Sequence, residues 1–203
     1  PYLPQTGITW KISGQYPNYG DLDFSAPFEQ GLVADPGSIS SSEVRFMPAA
    51  GAAIYLRHTW GEKVPAFYPD PQPDRTAYAY TWVYSPSDRE AGLHFSTHNY
   101  GRSELDKAPA EDKWDYKQSR VWLNGKLVLP PVWVNHGVSP DHETPYANEN
   151  MWSRLPSGIR LMKGWNSLVV KLPVSRFSTP ETRLVKWMFT AMIVTPDGKG
   201  QPE

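Results

Sequence analysis

Three long loops of the chain carry aromatic side chains next to polar ones. A sugar site needs this combination, because an aromatic plate receives the sugar ring while a few directed groups form hydrogen bonds. The residues that we expect to form such a site are Trp60, Tyr68, Asn99, Tyr100, Arg102, Trp114, Trp133, His136 and Trp152. The tryptophans are explained equally well as anchors that hold loops against the domain or against a neighbouring one. Glycan binding and domain packing therefore stay open as alternatives.

Acidic side chains in two of these loops raise the alternative of glycoside hydrolysis. Glu111, Asp112 and Asp115 lie in one loop, and Asp141 and Glu143 lie in another. Glycosidases use a pair of carboxylates that flank the scissile bond. Neither group lies in an alternating strand and helix pattern, and the sequence has no nucleophile elbow, phosphate-binding loop or His-Glu-x-x-His motif. We interpret these carboxylates as solvated loop charges and predict no catalysis by this chain alone.

The five histidines do not predict a metal site. His94 and His98 are four residues apart, which is ~13 Å along a strand, so they cannot share an ion that is held at ~2 Å. A second candidate cluster lies in one loop, where such groups are more often solvated than metal-bound, and consists of His136, Asp141, His142 and Glu143. The sequence predicts neither a metal nor another cofactor.

The elements that must position these loops are β-strands. Residues with strand composition occupy 7–13, 52–60, 76–85, 91–98, 119–129, 157–162, 166–174 and 184–195. Asn124 and Gly125 divide 119–129 into two arms of a hairpin, because both residues accept the positive φ of a type I′ turn. Nine strands result, and helical periodicity is weak. Strands without intervening helices predict an all-β fold, either an antiparallel β-sandwich or a barrel.

The lengths of the connections predict where the candidate residues gather. Three connections are short, namely 86–90, the Asn124-Gly125 turn and 163–165. Four are long, namely 61–75, 99–118, 130–156 and 175–183. If consecutive strands run in opposite directions, the short turns lie at one end of the sandwich and the long loops at the other. Long loops on a rigid scaffold often carry function, so we expect the sugar site at the long-loop tip.

An aromatic row in the strand 76–85 has two interpretations. Its members share one face of the strand, opposite a row of smaller side chains, and they are Tyr78, Tyr80, Trp82 and Tyr84. The favoured interpretation is burial, either as a bulky layer packed in the core against the second sheet or at an interface, since aromatic side chains enlarge cores first. A flat platform for sugar rings is the alternative.

Composition excludes several classes of protein. The 203 residues include 20 Lys and Arg and 21 Asp and Glu without a run of like charge, so the electrostatic footprint of a nucleic-acid binder is missing. The longest apolar runs fall well short of the ~20 residues that span a bilayer. With no cysteine, the chain has no disulfide and no thiolate site. We expect neither a nucleic-acid partner nor a membrane span.

The chain opens at Pro1 without an initiator methionine or signal peptide, which suggests a piece processed from a longer protein. Residues 1–50 hold one strand and a long irregular connection, and we expect them to belong to the same domain as the β-sandwich of residues 51–203. The identity of any flanking domain is open.

Three motifs in order resemble a known family. They are "TAYAYTWVYSP", "RVWLNGKLVLPP" and "LMKGWNSLVVKL", and they fall within residues 76 to 195. The chain thereby resembles the galactose-binding-like jelly-roll modules of bacterial glycoside hydrolases, and most of all the non-catalytic C-terminal domain of putative chitobiases, which are β-N-acetylhexosaminidases. Each motif also has a structural account. Gly164 frees the backbone for a tight turn, and Asn166 can bond to that turn.

The resemblance implies a function and a location. It implies a galactose-binding-domain-like jelly roll that binds a terminal hexose or N-acetylhexosamine, beside a catalytic domain of the same polypeptide that carries the acid pair. It also implies export to the periplasm or cell surface. The alternative is a purely structural domain that braces the catalytic barrel and binds no sugar.

Overall fold

The computed structural model describes residues 8–58, 65–97, 112–131, 156–178, 185 and 187–200. In chain order its elements are β1 (Thr9–Ile12), β2 (Tyr16–Pro17), helix α1 (Glu29–Ala34), a 3₁₀ turn (Pro36–Ser38), β3 (Met47–Ala50), β4 (Ala53–Arg57), β5 (Arg75–Ser85), β6 (Arg89–Ser96), β7 (Arg120–Leu123), β8 (Lys126–Leu127), β9 (Ser157–Leu161), β10 (Gly164–Val174) and β11 (Trp187–Val194). All strand pairs among the described residues are antiparallel. The prediction of an all-β antiparallel fold is confirmed.

Two sheets bury one hydrophobic core between them. The larger sheet has the order β3-β1-β5-β10-β7-β8, with β2 also paired to β5, and the smaller has the order β4-β11-β6-β9. Trp10 of the larger sheet meets Phe189 of the smaller one edge to face, with ring centroids 4.8 Å apart. The indole of Trp187 donates across the core to the carbonyl oxygen of Leu172 at 3.0 Å. The two layers thus form a sandwich-like arrangement.

The predicted hairpin turn is present between β7 and β8. Asn124 has a φ of 50° and Gly125 a φ of 77°, which is the pair of positive angles that a type I′ turn requires. Trp122 pairs with Leu127 and Leu123 with Lys126 across the hairpin. On the inner face, Leu123 belongs to the core shared by the two sheets. The Asn-Gly signal therefore predicted the turn correctly.

The three short turns lie together at one end of the sandwich, which we call the short-turn end. Asn166 at the start of β10 bonds both to Asn124 of the hairpin and to Met162 of the β9–β10 turn. The backbone N–H of Lys163 donates to Asp88 in the β5–β6 turn at 2.6 Å. The predicted clustering of the short turns is confirmed. Most of the long-loop residues lie outside the described residues.

The first 50 residues contribute more structure than the sequence pattern indicates. β1 pairs with both β5 and β3, and the predictions missed β3 and the two-residue strand β2. Between β2 and β3 the chain passes over the outer face of the larger sheet, where α1 packs. We call residues 18–46 the covering segment. Its residues lack a regular apolar period, so the sequence predicts only an irregular connection there.

Candidate functional site

The aromatic row of β5 faces away from the second sheet. The small residues Ala77 and Ala79 point into the core between the sheets, while Tyr78 and Tyr80 belong to a separate cluster on the outer face. The expected layer against the second sheet is therefore wrong, although burial is confirmed for Tyr78, which is 0% exposed. The reason is volume: the space between the sheets is already filled by large side chains such as Trp10, so β5 presents its alanines there.

The covering segment buries the first half of this row. The ring of Phe28 meets Tyr78 at a centroid distance of 5.1 Å, and Phe46 meets Tyr80 at 5.0 Å. Leu32 of α1 is completely buried in the same cluster. Tyr78 and Tyr80 thus have a structural role under the covering segment, and this half of the row is closed to ligands.

A buried polar cluster fastens the covering segment to the sheet. Lys171 of β10 is 0% exposed, and its ammonium lies 2.9 Å from a carboxylate oxygen of Glu29. The hydroxyl of Tyr78 donates to the same oxygen at 2.6 Å. Lys171 also donates to the carbonyl oxygen of Asp23 and to the hydroxyl of Ser25. Burial raises the pKa of Tyr78 well above its ordinary value, so its hydroxyl stays protonated and donates to Glu29.

The second half of the row emerges from beneath the covering segment. Trp82 is 41% exposed and Tyr84 is 56% exposed. Trp165 of β10, directly opposite Tyr84 in the sheet register, is 66% exposed. We call these three residues the aromatic surface. Their exposure is notable because each large ring is a substantial apolar area that remains in contact with water.

The rings of the aromatic surface do not lie in one plane. The centroids of Tyr84 and Trp165 are 5.4 Å apart, and their planes meet at 67°. Trp82 lies two residues before Tyr84 on the same strand, which is ~7 Å along the sheet. A methyl group on Gly37 of the 3₁₀ turn would lie 3.9 Å from the Trp82 ring. This turn of the covering segment therefore borders the tryptophan.

Polar groups lie at the rim of the aromatic surface. Among the described residues, neither the Tyr84 hydroxyl nor the indole N–H of Trp82 or Trp165 forms a hydrogen bond within the chain. Because Lys11 pairs with Tyr80, the register of β1 places the exposed Thr9 beside Trp82 on the same face. The arrangement offers apolar ring faces for stacking, with free donors at their edges.

The short-turn end fixes the position of Trp165. Its neighbour Asn166 is fully buried and donates to the carbonyl oxygens of Met162, Gly164 and Val83 at 2.8, 3.1 and 3.3 Å. Its side-chain oxygen accepts from the Met162 backbone at 2.9 Å. Gly164 has a φ of 99°, as expected for the tight turn before β10. The predicted roles of Gly164 and Asn166 are confirmed.

Two of the nine residues predicted for the long-loop tip lie within the described residues, and both are buried. Tyr68 is 4% exposed, and its hydroxyl donates to the carbonyl oxygen of Ser13 at 2.7 Å. Trp114 is 7% exposed, donates to the carbonyl oxygen of Val128 at 3.2 Å, and meets Phe95 edge to face. Both act as anchors in the core and present no open ring face. The other seven, which fall outside the described residues, are Trp60, Asn99, Tyr100, Arg102, Trp133, His136 and Trp152.

Asp115 is not the solvated loop charge that the sequence suggested. It is 8% exposed and accepts hydrogen bonds from the Thr97 hydroxyl, the Ser119 hydroxyl and the backbone N–H groups of Lys117 and Ser119. The Lys117 ammonium lies 3.8 Å from it. Burial lowers the pKa of Lys117, and the charge of Asp115 opposes this shift. With its oxygens committed to these donors, Asp115 holds the segment before β7 in place. Asp112 is exposed, and Glu111 lies outside the described residues.

Within the ranges that the structure describes, no three His, Asp or Glu side chains come together as a metal site. In the same ranges, no helix has the length and apolar character needed to cross a bilayer. The candidate metal ligands His98, His136 and Asp141 lie outside the described residues.

Sequence reasoning missed Trp165, although a signal for it was present. Strand alternation places Trp165 on the same face of β10 as Val169 and Lys171, which is the outer face of the larger sheet. The pairing of Trp165 with Tyr84 then follows from the antiparallel register. The exposure of the pair depends on how much of the sheet face the covering segment covers, and strand alternation does not indicate this.

Comparison with known proteins adds no assignment. No family model matches the chain, and no curated protein matches its sequence at a significant level. The candidate site therefore stands on its geometry alone.

Proposed function

We propose that this chain is a non-catalytic carbohydrate-binding accessory module of an exported bacterial glycoside hydrolase of the β-N-acetylhexosaminidase or chitobiase kind. We also propose that its sandwich is a jelly roll of the galactose-binding-like type. Three adjacent, exposed aromatic side chains on one sheet face carry the binding part of the proposal. The three sequence motifs, two of which contribute Trp82, Tyr84 and Trp165, support the assignment to this class of enzyme.

Binding at the aromatic surface should be weak and should depend on each ring. Apolar contact with one aromatic plate contributes about 1 to 2 kcal/mol, and millimolar affinity corresponds to only about 4 kcal/mol in total. The free donors at the rim, on Tyr84 and Trp165, would set the orientation of the sugar. The surface sits at the short-turn end, so the proposal places glycan binding away from the long-loop tip.

Removal of one aromatic ring of the aromatic surface should therefore abolish detectable binding. We expect titration of N-acetylglucosamine and galactose oligosaccharides, followed by tryptophan fluorescence, to saturate with the parent chain and to show no binding with Tyr84→Ala or Trp165→Ala. The matched control is Tyr116→Ala, because Tyr116 is 52% exposed and lies outside the aromatic surface. Saturation that is unchanged in both surface variants would refute the aromatic surface as the site.

The parent chain by itself should not hydrolyse aryl β-N-acetylglucosaminides. Asp115 is buried and its oxygens accept from Thr97, Lys117 and Ser119, so it is poorly placed to exchange protons with a substrate. The measurement is release of the aryl group. Turnover that survives repurification and is lost in Glu111→Gln or Asp112→Asn would show that the chain is itself an enzyme.

A bracing domain is the second candidate, and one observation favours it. β1 begins and β11 ends at the short-turn end, because Thr9 lies near Thr81 and Val194 pairs with Gly92. A domain connected through these strands could therefore pack on the aromatic surface and bury it. In that case the parent enzyme, with its catalytic domain attached, would protect Trp165 from solvent, and no glycan would bind.

A further inference from the structure

The angle between two rings of the aromatic surface restricts the kind of glycan that fits. We infer that the surface binds a single glycan chain through at least two linked sugars whose rings are turned relative to each other. It would bind a lone sugar at least tenfold more weakly than such a chain, and it would not bind the flat face of a crystalline polysaccharide. This inference rests on the proposed function and specifies its ligand.

The first step concerns the number of sugars. A pyranose ring has one mean plane, so it can lie face-on against only one aromatic ring at a time. The planes of Tyr84 and Trp165 meet at 67°, although their centroids are only 5.4 Å apart. One sugar that stacks on Trp165 therefore leaves Tyr84 without a face-on partner. Both rings are used only when two linked sugars present differently oriented faces.

The second step concerns the form of the polysaccharide. The surface of a crystalline polysaccharide presents sugar rings in parallel, and coplanar aromatic rings would be needed to match it. The 67° angle excludes such a match for Tyr84 and Trp165. A single chain in solution can rotate about its glycosidic bonds, so that successive rings turn to meet the two plates. Fixing this flexible chain on binding costs conformational entropy, and stacking on the second aromatic ring offsets that cost.

The third step concerns the length of chain that the surface holds. Trp82 lies two residues from Tyr84 along β5, ~7 Å away, and supplies a third, less exposed plate. On the far side, Trp82 abuts the 3₁₀ turn at Gly37, which limits the surface in that direction. Affinity should therefore rise over the first two or three sugars and then level off.

The test is a chain-length series with the intact chain. Calorimetry with N-acetylglucosamine and its di- to hexasaccharides, or the matching galactose series, should give a Kd that falls at least tenfold from the mono- to the trisaccharide and then changes little. Crystalline chitin powder should not retain the protein. In Tyr84→Ala, the hexasaccharide should show no detectable binding, while Tyr116→Ala should keep the full length dependence.

Three results would overturn the inference in different ways. Equal affinity for the mono- and hexasaccharide would contradict the two-sugar requirement and leave the proposed function standing. Retention on crystalline chitin that is lost in Trp165→Ala would show a flat platform instead. Absence of binding to every sugar of both series would refute both this inference and the proposed function. Thermal midpoints of the variants, expected to be unchanged, verify that each protein is folded.

Discussion

Replacement of Lys171 by methionine should lower the free energy of unfolding by about 3 to 5 kcal/mol, the range observed when one partner of a buried ion pair is removed. The ammonium of Lys171 lies 2.9 Å from Glu29, and the Lys171 side chain is fully buried. Without it, the carboxylate of Glu29 keeps the hydroxyl of Tyr78 as a donor but loses its counter-charge. The measurement is equilibrium unfolding in urea.

Two further variants distinguish loss of the ion pair from loss of side-chain packing as the cause of the lower stability. Lys163→Met removes an exposed lysine from the β9–β10 turn and should leave stability unchanged. The double variant Lys171→Met with Glu29→Gln removes both charges, so it should be more stable than Lys171→Met alone. A single variant as stable as the parent, or a double variant that is less stable than the single one, would contradict the assigned role of the pair.

Replacement of Asn166 by alanine should have the second largest effect, a loss of about 2 to 4 kcal/mol. The side chain bonds to Val83, Met162, Gly164 and Asn124, so its removal leaves several buried groups of the short-turn end without their partners. Because Asn166 adjoins Trp165, glycan affinity should fall as well, at temperatures where the variant is still folded.

Urea unfolding and oligosaccharide titration together test this prediction. Lys163→Ala is the matched control, since it lies in the same turn and contributes only its backbone N–H to the bond with Asp88. The control should keep both stability and binding. Normal stability in Asn166→Ala would show that the short-turn end does not depend on this side chain.

Local signals predicted the turns correctly, whereas the face of the aromatic row of β5 was predicted wrongly. Asn124 and Gly125 were assigned to a type I′ turn because few residues accept positive φ, and the structure has both in that region. Gly164 and Asn166 were recognised for similar reasons. Such turns depend on the backbone preferences of one or two residues, so they can be predicted from a single sequence.

The covering segment could not be predicted, because its structure depends on distant partners. α1 is only six residues long, too short to be stable alone, and Glu29 within it pairs with Lys171 far along the chain. Tyr68 and Trp114 show the same limit. A loop aromatic that anchors a core and one that receives a sugar have the same residue type, and only tertiary packing distinguishes them.

The most direct test of the central claim is a titration that resolves individual tryptophans. In a two-dimensional ¹H–¹⁵N spectrum, the indole N–H signals of Trp82 and Trp165 should shift saturably on addition of a tri-N-acetylglucosamine or galactose trisaccharide, because their edges border the proposed contact. The signals of the buried Trp114 and Trp187 should stay in place. Shifts confined to Trp60, Trp133 and Trp152 would place the site at the long-loop tip and contradict the account.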